Sequence, residues 1–121
     1  MVLCDDVNVV DVVRRGKFLR NHPSLERGAN ANFVSRRDGG WEMRTFERGV
    51  EDETLACGTG AVATATLLQR WGSEGSEASI LTRSGVLLTV SLPSGTETVA
   101  PRLRGEGRLL YEGTLSDIPG L

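Results

Sequence analysis

The strongest constraint on the fold lies between Gly60 and Trp71, the one stretch that reads as a long helix. Ala61, Val62, Ala63, Ala65, Leu67, Leu68 and Trp71 go around almost its whole circumference, and Thr64 and Thr66 are the only polar interruptions in its first two turns. A helix apolar on all sides needs cover on all sides. The rest of the chain is cut into short segments, so that cover must come from strands. The predicted architecture is α+β: a strongly curved, mostly antiparallel sheet wrapped around one central buried helix. The small residues of the helix let the sheet approach closely.

The punctuation supports this reading. Val2 to Cys4 is a brief β-type run, and Val9 to Arg20 is an apolar and basic stretch that Asp11 can cap as a short helix, ended by His22-Pro23. Ala29 to Arg36 alternates as a strand, Asp38-Gly39-Gly40 is a hairpin turn, and Trp41 to Phe46 is the returning strand. Glu47 to Ala56 is dense in charge and lacks periodicity, so it is assigned as loop. Gly72 ends the long helix as a C-terminal cap. Further strands are predicted near Ser79 to Arg83, Val86 to Leu92, Thr98 to Leu103 and Arg108 to Glu112, with Leu115 to Leu121 loosely held.

Whole-chain properties exclude several functions. At 121 residues and 39% hydrophobic content, the chain has the size of a single domain, residues 1–121, with its own core. A net charge of −2, with Lys and Arg scattered among Asp and Glu, leaves no footprint for nucleic acid or an anionic membrane. The N-terminal residues carry no basic segment followed by an apolar run and a small-residue cleavage site, and no long apolar run occurs, so a cytoplasmic protein is expected. Cys4 and Cys57 are read as reduced thiols. With His22 they fall short of the usual four zinc ligands, and no metal is expected.

The chemistry centres on Glu53-Thr54-Leu55-Ala56-Cys57-Gly58-Thr59-Gly60-Ala61. Cys57 falls at the mouth of the long helix, where unpaired backbone N–H groups and the positive end of the dipole converge. Helix N-termini are among the environments that favour a thiolate. Gly58 and Gly60 remove side chains that would block a ligand, and the N–H groups of Gly58, Thr59 and Gly60 can hold a carboxylate. A sulfur base beside an anion cradle suits removal of a proton from the carbon next to a carboxylate, because the developing charge meets fixed donors. The plainer alternative is a buried cysteine before a glycine-rich cap. A phosphate loop is disfavoured because no Gly-Lys-Ser/Thr follows. Elsewhere Cys4, Trp41 and Trp71 are read as core, Asn32 as a backbone-bonding amide, and His22 as a helix-end cation.

These residues resemble the second signature of the diaminopimelate epimerase family. Glu47-Arg48-Gly49-Val50 and the Glu53 to Ala61 block carry the likeness, with His22-Pro23, Gly28 to Val34, Thr82 to Leu87 and Tyr111-Glu112-Gly113 around them. The resemblance implies a cofactor-independent isomerase of lysine and peptidoglycan precursor biosynthesis. Such an enzyme interconverts LL- and meso-diaminopimelate with two cysteines on opposite faces of the α-carbon, one as thiolate base and one as thiol acid. By that likeness Cys57 is one of the pair, and Gly58 and Thr59 supply backbone donors to the reacting carboxylate. Glu47 and Arg48 hold the α-amino group and the distal carboxylate, and Asn30 binds the distal end with its amide. Proline racemases and hydroxyproline epimerases share the Cys-Gly-Thr-Gly step and are the second choice.

The family fold is two similar halves, each with strands around a central helix, and the likeness here is to the second half alone. The first half brings the other cysteine in its own Cys-Gly-Asn-Gly step. The chain is therefore expected to be half an active site, inactive by itself. Its expected partners are a small amino-acid substrate and either an amino-terminal half or a second copy facing it across the pseudo-twofold. A binding remnant without catalysis is the remaining alternative.

Overall fold

The computed structural model describes residues 1–93 and 100–114. Its frame is a seven-stranded mixed sheet: β1 (Val2–Leu3), β2 (Ala31–Arg37), β3 (Gly40–Glu47), β4 (Asp52–Thr54), β5 (Glu77–Leu81), β6 (Leu87–Ser91) and β7 (Arg102–Arg104). The order is β1-β2-β3-β5-β6-β7, with β4 also paired to β3. β1 runs parallel to β2 and β3 parallel to β5, while the other four pairings are antiparallel. Among the described residues the two α-helices are α1 (Val12–Arg20) and α2 (Gly58–Arg70), and a single 3-10 turn, Val7–Val9, precedes α1.

Local chemistry sets most of the boundaries. Asp11 caps α1 by accepting the Arg14 N–H at 3.1 Å, and Asn21 closes it by donating its side-chain amide to the Lys17 carbonyl at 2.9 Å. Asp38 and Gly39 turn β2 into β3 with Arg37 opposite Gly40. Beyond α2, the N–H of Gly72 donates to the Gln69 carbonyl and that of Ser73 to the Leu68 carbonyl. These two bonds form a Schellman cap, and Gly72 takes the left-handed φ of 69° that it requires.

Alternation along the strands divides the core between the two faces of the sheet. Ala31, Phe33 and Phe46 point to one face and pack with Val7 and Val10 ahead of α1 and Val12 at its start. Val34, Trp41, Met43, Ala78, Ile80, Leu88 and Val90 point to the other and pack against Ala61, Ala65 and Leu68 of α2. Each fully buried aliphatic or aromatic side chain contributes about 1.5–3 kcal/mol through removal from water.

Some expectations are corrected. The enclosure predicted for the long helix is met on one side only: Gly60, Ala61, Thr64, Ala65 and Leu68 are buried, whereas Thr59, Ala63 and Arg70 are exposed. The sheet covers one flank of α2, and α1 takes the opposite face of the sheet. Trp71, expected in the core, is 54% exposed at the end of α2. Within the stretch assigned as loop, Asp52–Thr54 is a strand, because Glu53 is consumed by an ion pair with Arg44 and is not left in solvent. The predicted strand Arg108 to Glu112 does not form: residues 105–114 have no regular structure and are exposed. Of the predicted strand Thr98 to Leu103, residues 98–99 lie outside the described residues, as do Leu115 to Leu121.

Candidate active site

Cys57 is the residue from which α2 starts. Its backbone is extended (φ −139°, ψ 105°), and its Sγ accepts the N–H of Gly60 at 3.4 Å, so the sulfur takes the place usually held by a Ser or Asp cap. The Ala61 N–H donates to the Cys57 carbonyl. Two donors of the first turn are thereby used, and among the described residues the N–H groups of Gly58 and Thr59 have no hydrogen-bond partner. They lie at the positive end of the helix dipole, where an anion is favoured.

The sulfur has two further neighbours. The Thr59 hydroxyl stands 3.5 Å from it, and the side-chain amide of Asn30 donates to it at 3.7 Å. Although Cys57 is only 5% exposed, it borders an open hollow of about 640 Å³ with Glu47, Gly58, Thr59, Ala63 and Leu103. A second hollow, of about 520 Å³, holds Arg27, Asn30, Asn32 and Arg48. Thr59 and Ala63 border both, so the two hollows flank the first turn of α2.

The Glu47-Arg48-Gly49 corner lies where β3 leaves the sheet. The Glu47 carboxylate accepts the Thr54 hydroxyl at 2.9 Å, which ties it to the strand leading into Cys57. The Arg48 N–H donates to Asn30 Oδ1 at 2.9 Å, and the Arg48 guanidinium donates to the Arg27 carbonyl at 3.1 Å. The turn continues with the Glu51 N–H on the Glu47 carbonyl and the Gly49 N–H on the Glu51 carboxylate.

Behind the corner lies an anchor that sequence reading missed. Arg44 Nε and Nη2 donate to the two carboxylate oxygens of Glu53 at 2.6 and 2.7 Å, and Nη1 donates to the carbonyls of Val7 and Val10. The hydrogen bonds to Glu53 hold the Arg44 guanidinium charged, above even its usual range. One side chain thus links β3, β4 and the turn before α1. The only signal in the sequence was charge of both signs in adjacent segments, which also fits a solvated face.

All the residues expected at the site therefore meet around the start of α2: Cys57, Gly58, Thr59 and Glu47 on one hollow, Asn30 and Arg48 on the other. Asn32 bonds a side chain, accepting the Thr45 hydroxyl at 2.9 Å, and not the backbone as expected. His22 is exposed and pairs with Ser24. Cys4 stands elsewhere, donating to the Val34 carbonyl at 3.4 Å, and burial pushes its thiol up. Among the described residues no three His, Cys, Asp or Glu side chains group in a way that could hold a metal, and no helix is long and apolar enough to cross a membrane.

Comparison with known proteins places this arrangement. A family model described as diaminopimelate epimerase matches residues 1–100. A diaminopimelate epimerase of Gemmatimonas aurantiaca is 50% identical over 98% of this chain, one of Aquifex aeolicus 38% over 97%, and one of Methanocella arvoryzae 35% over 95%. The chain spans 46, 42 and 40% of those three proteins, a little under half of each. Among solved structures, a phenazine biosynthesis protein of the PhzF family from Enterococcus faecalis superposes with a TM-score of 0.59 at 18% identity. That match covers 76% of this chain and 32% of the other, and it is a likeness of fold.

Proposed function

The chain belongs to the diaminopimelate epimerase family, and on that premise we propose that it is the carboxy-terminal half of an enzyme that inverts the α-carbon of diaminopimelate between the LL and meso forms. The observation that carries this reading is the placement of Cys57 Sγ beside the unpartnered N–H groups of Gly58 and Thr59 at the start of α2. A substrate α-carboxylate seated on those two donors brings its α-carbon to the sulfur. The Cys57 thiolate takes the α-proton and becomes a thiol, and the electron pair left on carbon spreads into the carboxylate, where the same donors meet it. Glu47, pinned by Thr54, faces the hollow as the counter-charge for the α-ammonium. Arg48, in the adjoining hollow, suits a distal carboxylate through its planar guanidinium. No cofactor is required, because acid and base are both side chains.

Inversion also needs a proton delivered to the opposite face of the carbon. Cys57 is the only cysteine bordering either hollow, since Cys4 lies on another part of the sheet. We therefore expect no turnover by this chain alone, and assign the second thiol to the half of the family's length that the chain does not span. Leu103, which borders the hollow from β7, is exposed, as are Leu109, Leu110 and Tyr111 in the stretch after β7, and these apolar side chains support a partner. Two free thiols fit a reducing compartment, and the cytoplasm is the proposed setting.

The test is solvent exchange. LL-diaminopimelate in heavy water should gain no α-deuterium with this chain alone, and should gain it once an amino-terminal half from a family member is added. Cys57→Ala should abolish the rescue. Exchange by the chain alone together with a dimer in sedimentation would point to two copies sharing the site. No exchange at high concentrations of both halves would overturn the reading.

A further inference from the structure

We infer that Asn30 is a positioning residue for the Cys57 thiolate, holding the sulfur through its amide. The likeness to the family assigns this amide to the distal end of the substrate, but here both of its ends are engaged by the protein. Asn30 Oδ1 accepts the Arg48 N–H at 2.9 Å. A backbone N–H can only donate, so the oxygen must face Arg48, and the NH₂ group is then turned to Cys57 Sγ, 3.7 Å away. Together with the Gly60 N–H, two donors of fixed orientation converge on the sulfur. A donor held in place interacts more strongly with a sulfur anion than with a thiol.

The geometry also links the two hollows. Asn30 stands immediately before β2, and its amide ties the Glu47-Arg48-Gly49 corner to the start of α2, so displacement of Arg48 is felt at the sulfur. The ionisable side chains lining the two hollows are Glu47 from the end of β3 in the first, and Arg48 and Arg27 in the second. Glu47 opposes the thiolate and the two guanidinium groups favour it. Of the three, Arg48 alone is bonded to Asn30, through its backbone N–H, and Asn30→Asp keeps that acceptor.

The inference rests on Cys57 being the acid/base thiol of the proposed function, yet its test needs neither substrate nor partner half, so the two can fail separately. Alkylation of the purified chain by iodoacetamide is followed by peptide mapping, which separates Cys57 from Cys4. Asn30→Ala should slow Cys57 alkylation about ten-fold at pH 7 while leaving the rate at pH 10 within about two-fold of wild type. Asn30→Asp keeps the acceptor for Arg48 and places a carboxylate against the sulfur, so it should slow the reaction further at pH 7. Equal rates at pH 7, or a slowing of the same size at both pH values, would overturn the inference. If the variants do not fold, the wild-type side-chain amide resonances of Asn30 decide the matter. They should move between pH 7 and 10 and shift in Cys57→Ala, and amide signals indifferent to both changes would overturn it.

Discussion

Gly60 and Asn32 meet with no room between them: a β-carbon on Gly60 would stand 2.6 Å from Asn32 Oδ1 and 3.2 Å from Cys57 Sγ. Asn32 cannot retreat freely, because its oxygen accepts the Thr45 hydroxyl inside the sheet. Alanine is the better helix former by about 1 kcal/mol, yet overpacking at a buried contact costs about 1–3 kcal/mol. Gly60→Ala is therefore expected to lower stability, and to slow alkylation of Cys57 by pushing its sulfur from the cap. Urea unfolding and thiol labelling measure the two effects, and a stabilised variant with unchanged labelling would contradict them.

Arg44 and Glu53 are 12% and 17% exposed and are joined by both carboxylate oxygens. Breaking such a pair strands the remaining charge, at a cost of about 3–5 kcal/mol in buried cases. Glu53→Leu should thus destabilise the domain by about 3 kcal/mol in chemical denaturation. A double change to Arg44→Met and Glu53→Leu should be milder than the single one, because no charge is left behind.

Glu51 bears on the acid limb of stability. The Gly49 N–H, followed by the Arg20 guanidinium, holds its carboxyl below the usual carboxylate range. A depressed folded value means that the stabilisation is present above the unfolded value of about 4.3 and is lost as pH falls through the folded one. The stability difference between wild type and Glu51→Gln should accordingly shrink as pH is lowered from 5 to 3. A difference that stays constant over that range would show that the carboxylate is not linked to folding.

Cys4 acts at the other end of the scale. Burial is the main cause that raises its thiol, against the bond to the Val34 carbonyl. The folded chain keeps that proton longer than the unfolded one, so the contribution is present below about 8.5 and is lost as pH rises through the folded value. Stability should fall less steeply between pH 8 and 10 in Cys4→Ala than in wild type. In alkylation at moderate pH, Cys4 should also lag behind the same thiol in the unfolded chain.

Sequence reading succeeded where structure is decided by neighbours along the chain. The Asp11 cap, the Asp38-Gly39 turn and the Gly72 stop each depend on a few adjacent residues, and each stands where expected. Cys57 was legible for the same reason, since Gly-Thr-Gly after a thiol can only open a helix in this context. β4 was not legible, because what holds Glu53 in a strand is Arg44, nine residues earlier in the chain. Asn30 could be named from the sequence, but its engagement by both Arg48 and Cys57 needs three separate elements brought to one point. The open flank of α2 was misjudged because Ala63 and Trp71 look like core residues, while both are exposed and nothing among the described residues covers them.

β3 shares one of its edges between two neighbours, β5 at Trp41–Glu42 and β4 at Thr45–Glu47. An inserted or deleted residue at its middle would turn every later side chain to the wrong face, so that Glu47 could not reach the hollow beside Cys57 while Trp41 stayed in the core. Homologous genes should consequently show constant length across this strand and tolerate gaps at the exposed glycines 105 and 107.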